Sequence, residues 1–284
     1  MAKIKPFTII YEDDAIMAVN KASGIAVKGD RWDEDIPRLD LLLKQELAAR
    51  QEKTGQELFT VHRIDKDTSG LVIFAKDQKT HKELSAAFES RQAEKTYVAV
   101  IHGRPAWPGS KANCDLPLVP DGSKKHLTII DKYRGKPSFT AFSLILSAGN
   151  YSVVEAHPET GRTHQIRVHL SAMGYPIVCD PLYGKAASGR ARSGTEKGVY
   201  LSSFKKDWRG NAFEERPLLD RLGLHASGLV INGTKFEAPL PKDLAALIKQ
   251  LSLLLKPQAK SNAKTETVRE RKTFAGPDTP DGNP

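Results

Sequence analysis

Along this chain, stretches in which apolar and polar residues alternate give way to stretches with an apolar position every three or four residues, and back again. The opening "FTIIYEDDAIMAVNKASG" predicts a hairpin, with strands over 7–11 and 15–20 joined at Glu12-Asp13-Asp14 and ended by Ser23-Gly24. From Ile36 to Lys53 the period turns helical, with Leu39, Leu42, Leu43 and Leu47 on one stripe. Asp77 stands as the N-cap of a second helix whose apolar face carries Leu84, Ala87 and Phe88. "KTYVAVIHG" (95–103) reads as a β-branched strand, and "RPAWPGSKAN" (104–113) as a Pro/Gly loop. "SFTAFSLIL" and "YSVVEA" predict two strands around a turn at Ala148-Gly149-Asn150. Residues 163–173 return to helical spacing, with Ile166, Leu170 and Met173 on one face. "GLVINGTKFEA" is a hairpin around Asn232-Gly233. Leu244, Leu247, Ile248, Leu251 and Leu255 line one side of a last helix over 241–255.

Strands and helices are interleaved through hairpins, without a regular βαβ alternation, and this predicts an α+β fold. No run of 18 apolar residues occurs, so no membrane span is expected. "MAKIKPFTII" lacks the apolar core of a signal peptide. The segment 185–198, "KAASGRARSGTEKG", predicts an exposed loop. Residues 257–284 have little to bury and predict a disordered tail, leaving 1–256 as one domain.

Composition narrows the class. With 39% apolar and 27% charged residues among 284, the chain can build one good core. Cys114 and Cys179 are the only cysteines, which excludes a disulfide scaffold and a Cys-rich zinc module and fits a reducing cytoplasm. Lysine and arginine number 43 against 34 acidic residues, a net +9. The tail holds five basic and four acidic residues, so all but one unit of that charge lies in the folded part. A domain this basic points to a polyanionic partner, nucleic acid first.

Two stretches are dense in chemistry. In "FTVHRIDKDTSGLVIFAK" (59–76), His62, Arg63, Asp65, Asp67, Thr68 and Ser69 lie between apolar runs that read as strands, the setting of many catalytic loops. Asp67, Thr68 and Ser69 equally suit a turn whose side chains bond local amides. In "HPETGRTHQIRVHLSAMGYPIVCDPLYG" (157–184), helical spacing brings His164, Arg167 and Ser171 within about 60° of one another. Arg167 would border both core and cleft, a position for a guanidinium meeting a carboxylate bidentately. Arg162 and the Gly161 backbone would lie at the helix start, where a phosphate binds readily. His62, His157, His164 and His169 have no metal-ligand spacing, and nucleophile-elbow, Walker and dinucleotide motifs are missing. "DKDT" (65–68) has the D-x-D-x-T shape of aspartate-nucleophile phosphohydrolases, but His62 and Arg63 interrupt the strand that family needs, and the acidic pair Asp13-Asp14 lies upstream, in a turn, where the family needs one downstream.

"HRIDKDTSGLVIFAK", "KTYVAVIHG", "ETGRTHQIRVHLSAMGYPIVCDPLYG", "LGLHASGLVI" and the early "NKASGIAV" together resemble, in order, the motifs of the RluA-type pseudouridine synthases, across roughly 7–256. The resemblance implies a mixed, mainly antiparallel central sheet with flanking helices and a central cleft. It implies Asp65 as catalytic aspartate, Tyr97 packing on the target base, and Arg167 as the basic partner of the aspartate. Arg63 would hold the RNA open where the uridine has left the stack. His62, Thr68, Arg162, His164, Leu224 and His225 would bind substrate.

Such an enzyme breaks the uridine C1′–N1 bond, turns the base and makes a C1′–C5 bond, so neither cofactor nor metal is implied. It needs an ionised carboxylate at the ribose, either to attack C1′ or to remove the 2′ proton, and a neighbouring guanidinium favours that charge state. The implied substrate is ribosomal or transfer RNA, and a monomer is expected. Ala22 stands where the family usually has proline, and Cys179 where glycine usually precedes the aspartate. Many relatives carry an N-terminal RNA-binding domain, for which no room precedes Phe7, so target choice is expected from the catalytic domain, its loops or its tail. Lys124, Lys125, Lys132, Arg134 and Lys136, and Lys185, Arg190, Arg192 and Lys197, are expected to rim the cleft.

Overall fold

The N-terminal alternation folds as a hairpin: β1 (Phe7–Glu12) and β2 (Ile16–Lys21) pair antiparallel, with Met17, Ala18 and Val19 fully buried. The computed structural model describes residues 5–29, 37–50, 57–122, 127–184, 198–205, 208–211 and 214–255. The predicted tail, the second basic cluster, and Lys124 and Lys125 of the first lie outside the described residues, as does nearly all of the loop expected at 185–198.

Helix α1 (Leu39–Ala49) begins later than its apolar spacing suggests, because Arg38 is still extended at φ −114° and bridges to Ala26. The short β3 (Phe59–Thr60) and the wholly buried β4 (Ser69–Ala75) bracket the polar cluster, as expected. In α2 (Gln78–Glu89) the carboxylate of Asp77 accepts the Thr80 amide, the cap the sequence predicts. Strand β5 (Glu94–His102) follows. Part of the predicted Pro/Gly loop is strand instead: β6 (Lys111–Cys114) pairs along the edge of the sheet. β7 (Leu118–Pro120) and β8 (Thr128–Ile130) make a separate ribbon. β9 (Thr140–Ala148) and β10 (Tyr151–Pro158) form the expected hairpin.

Helix α3 (Gln165–Ala172) is shorter than the 163–173 predicted, because His164 is left-handed at φ 56° and cannot continue a right-handed helix. β11 (Leu224–Ile231) and β12 (Thr234–Glu237) turn at Asn232-Gly233. Helix α4 (Lys242–Leu253) buries Leu244, Leu247 and Leu251, while Leu255, expected on the same face, lies past the helix end and is exposed.

Ten strands form one sheet whose path runs β1-β2-β4-β11-β5-β10-β9-β6, with β12 on β11 and β3 on β4. Every pairing is antiparallel except that of β4 with β11. This is the mixed, mainly antiparallel α+β fold expected. Alternation along β5 splits its neighbours: Ala99 and Ile101 pack with Ile166 and Leu170 of α3, while Val98 and Val100 pack with Leu244 and Leu247 of α4. A third core, under β2 and β4, is closed by α1 and α2. Tyr97 touches two of these cores and so sits at the seam where the central cleft opens.

The parallel pair is short, Ser69 with His225 and Gly70 with Ala226. Gly70 adopts φ 118°, and a Cβ there would lie 2.2 Å from the Ala226 carbonyl oxygen. Only glycine lets the end of the polar cluster run this close to β11. Gly70→Ala is therefore expected to cost at least about 2 kcal/mol, read as a lowered urea midpoint. An unchanged midpoint would show that the two strands can part without loss.

Candidate active site

The loop between β3 and β4 carries Asp65, and the turn after β2 holds it in place. Gly24 N donates to the Lys66 carbonyl at 2.9 Å, and Ser23 Oγ to the Asp67 carbonyl at 2.7 Å. Lys21 Nζ, almost wholly buried, donates to the carbonyls of Ala22 and Lys66 at 2.9 and 3.0 Å. The loop closes on itself through Thr68 N and the Asp65 carbonyl, 3.1 Å. The early "NKASG" segment is thus the floor of the Asp65 loop, and Lys21 is a bracing residue that the spacing of the chain did not single out.

His62, Arg63, Asp65, Thr68, Tyr97, Arg162, His164, Arg167 and Leu224 line one cleft of about 460 Å³. His62 accepts the Ile73 amide on Nε2 and stacks on Phe88, so it braces the loop against α2. Burial, with Lys95 nearby, pushes its pKa down to about 3. Burial, reinforced by the Asp65 charge, raises the Tyr97 pKa and keeps the phenol neutral. Thr68 Oγ1 is buried without a hydrogen-bond partner.

His225 does not join them. Its side chain is fully buried, with Nδ1 3.0 Å from Ser69 Oγ and Nε2 3.2 Å from the Ala238 carbonyl. Alternation along β11 turns Leu224 towards the cleft and His225 away from it, so the substrate-binding role expected of His225 is corrected to a core one. The helix start also differs from expectation. Arg162 N is already bonded to Gln165 Oε1 at 3.0 Å, and the Arg162 guanidinium donates to the Pro137 carbonyl at 3.3 Å. The Arg162 amide and guanidinium are therefore both already bonded within the protein, ahead of a helix whose N-cap, His164, makes no side-chain cap bond.

Arg167, 1% exposed, makes its bidentate pair with Asp180: Nε to Oδ2 and Nη2 to Oδ1, both 2.8 Å. Its remaining nitrogen, Nη1, stands 3.7 Å from Asp65 Oδ2. The carboxylate expected to be its close partner is thus its second. Burial opposes the Arg167 charge, but the bonds and charge of Asp180, then the charge of Asp65, hold its pKa above the ordinary value. Burial likewise works against ionised Asp180, and Arg167 with the amides of Leu182 and Tyr183 more than offsets it, lowering that pKa. The Tyr183 ring lies under the guanidinium, 5.2 Å from centroid to Cζ.

Sequence reasoning passed over Lys95, Asp180 and Tyr183. Lys95 was legible, since it stands two residues before Tyr97 on a strand and so shares its face. It lines the cleft, donates to the Thr160 carbonyl at 3.2 Å, and burial lowers its pKa to about 8. The D-x-D-x-T alternative loses ground on geometry, because Asp13 and Asp14 sit at the turn after β1, while Asp65 faces a guanidinium. Among the described residues no three His, Cys, Asp or Glu side chains gather as a metal site, and no helix is long and apolar enough to cross a membrane.

Asp65, Tyr97 and Arg167 thus meet at the central seam of a mixed sheet, and residues 15–172 match the RNA pseudouridylate synthase family. The chain belongs to that family and, within it, to the RluA type; it is an RNA pseudouridine synthase, an isomerase. It is 31% identical over 257 residues to the ribosomal large subunit pseudouridine synthase D of Zymomonas mobilis, covering 87% of this chain and 74% of that one. It is 34% identical to the dual-specificity RNA pseudouridine synthase RluA of Escherichia coli, covering 65% and 79%. The solved human RNA pseudouridylate synthase domain containing 4 shares the fold, at TM-score 0.65 and 24% identity, over 86% of this chain and 92% of that one.

Two predictions concern the charges. Asp180→Asn leaves Arg167 buried without its main counter-charge and is expected to cost about 3–5 kcal/mol; a wild-type urea midpoint would mean that another group takes over. Burial lowers the Lys21 pKa to about 7, against the charges of Asp65 and Asp67. Between that value and about 10.4, the unfolded lysine binds the proton that the folded one has lost. Stability contributed here therefore rises with pH from about 7 to about 10. Urea midpoints across that range should climb for the wild type and climb less for Lys21→Met; equal slopes would refute the assignment.

Proposed function

We propose that this enzyme isomerises specific uridines of ribosomal or transfer RNA, with Asp65 as the catalytic carboxylate acting on an extruded nucleotide. The observation that carries the reading is convergence: Asp65, Tyr97 and Arg167 come from three separate stretches of chain and line one cleft, with Arg167 Nη1 3.7 Å from Asp65 Oδ2. The Asp65 side chain is 20% exposed, against 0% for Asp180, so of the two carboxylates on Arg167 it alone is open to a ribose. Tyr97, neutral and half-buried, forms an aromatic wall for the base.

Arg63 is exposed at the cleft mouth and suits the space a uridine vacates when it leaves its stack. Lys132 and Lys136 are exposed on the turn after β8, next to the Pro137 carbonyl that Arg162 grips, so this turn adjoins the cleft rim and suits the RNA backbone. Relatives named for the large ribosomal subunit favour ribosomal RNA as substrate, with transfer RNA as the alternative. Residues 1–256 are taken as the catalytic domain, acting as a monomer in the cytoplasm.

The test is Asp65→Asn, beside Asp65→Ala, assayed by mapping pseudouridines in RNA from a strain lacking the gene and complemented with each variant. Loss of specific sites that the wild type restores, with folding and RNA affinity kept, is the expected outcome. The fold should survive, because Arg167 retains Asp180. Wild-type modification by either variant would sink the role of Asp65.

A further inference from the structure

His164 is one of few non-glycine residues with a left-handed backbone, φ 56°, and it lines the cleft immediately before α3. Strain of this kind persists where the surroundings enforce it, often at functional sites. The His164 ring is met by Tyr183, whose hydroxyl lies 2.9 Å from His164 Nδ1. The same hydroxyl accepts the Thr128 amide at 2.8 Å. The amide can only donate, so the phenol must give its own proton elsewhere. The other hydrogen bond the hydroxyl makes is the one to His164 Nδ1, which we assign as the acceptor of the phenol proton. A neutral imidazole that accepts on Nδ1 carries its proton on Nε2. That nitrogen has no partner among the described residues.

We propose that His164 presents its Nε2–H to a carbonyl oxygen of the extruded uracil, and that Tyr183 is the positioning residue that fixes this tautomer. The inference rests on the reading of the cleft as the uridine site. Burial lowers the His164 pKa, so the ring is neutral with a single N–H at neutral pH. Whichever role Asp65 takes, the C1′–N1 electron pair leaves with the base and spreads from N1 onto the carbonyl oxygens. After the base turns, C5 bonds to C1′ and sheds its proton to solvent while N1 takes one up, so the product is an isomer. A preorganised donor at a carbonyl oxygen gains strength as that charge develops and so favours the transition state over the bound uridine. Thr68 Oγ1, buried and unpartnered on the same cleft wall, is a second polar atom suited to the base edge.

The experiment has two readouts. On full-length enzyme with 15N-labelled histidine and no RNA, long-range 1H–15N correlation should show His164 protonated on Nε2, with Tyr183→Phe shifting it towards the other tautomer. A wild-type ring protonated on Nδ1 overturns the proposal, whatever the role of Asp65. The second readout is single-turnover tritium release from 5-tritiated ribosomal RNA of a strain lacking the gene. His164→Ala should slow it about a hundredfold at unchanged RNA Kd, and His164→Gln, which keeps an N–H, should recover much of the rate. A full rate in His164→Ala, or a loss confined to Kd, overturns the donor role. Should Asp65→Asn stay active while the tautomer is as expected, the failure lies with the catalytic aspartate and not with this hydrogen bond.

Discussion

Arg167 is a guanidinium with almost no exposure, and the centre of the molecule is arranged around keeping it charged there. Desolvating such a group costs several kcal/mol unless its donors are met with good geometry. Asp180 meets two of them, and it can stay ionised in the same burial because the amides of Leu182 and Tyr183 bond the Oδ1 that faces Arg167 Nη2. The tight turn at 180–183 therefore exists for the ion pair. It also brings the Tyr183 ring under the guanidinium and the Tyr183 hydroxyl to His164. One buried cation thus fixes the chain on both sides of α3.

The opposite wall depends on a different buried amine. Lys21 reaches through the floor of the Asp65 loop to two carbonyls, and a neutral amine has two N–H groups to give them. Burial lowers its pKa to about 7 against the charges of Asp65 and Asp67, and its bond to the Lys66 carbonyl ties the loop to β2. Ala22 fits this design: its amide donates to the Pro6 carbonyl at 2.9 Å, a bond that the proline usual at this position could not make. Cys179, where glycine is usual, still adopts φ 55°, so the left-handed bend before Asp180 survives the change of residue.

Most of the scaffold was legible because local rules decide it. The Asp77 cap, the Asn232-Gly233 turn and the β9–β10 hairpin need only near neighbours to form. The motifs likewise named Asp65, Tyr97 and Arg167, which do share the cleft. What periodicity missed was decided by distant contacts. The start of α3 moved because His164, whose ring meets Tyr183 nineteen residues on, is left-handed and cannot continue the helix. The true partner of Arg167 was hidden because a helical wheel shows which way a side chain points, not which loop returns to it. His225 was misplaced for a simpler reason: it adjoins Leu224 in a motif, and on a strand adjacent residues face opposite ways.

This division between the two carboxylates bears on reactivity. A single carboxylate asked both to satisfy Arg167 and to react with a ribose would have its oxygens occupied by short, strong bonds. Asp180 takes the bidentate bonds and is sealed, while Asp65 stands 3.7 Å from Nη1, within reach of the field but beyond a hydrogen bond. The guanidinium then acts on Asp65 as a fixed charge at close range, and, in the catalytic role proposed for Asp65, both its oxygens keep lone pairs for the ribose. Because Asp180 and Tyr183 hold that charge in place before any RNA arrives, little reorganisation is needed when the uridine enters.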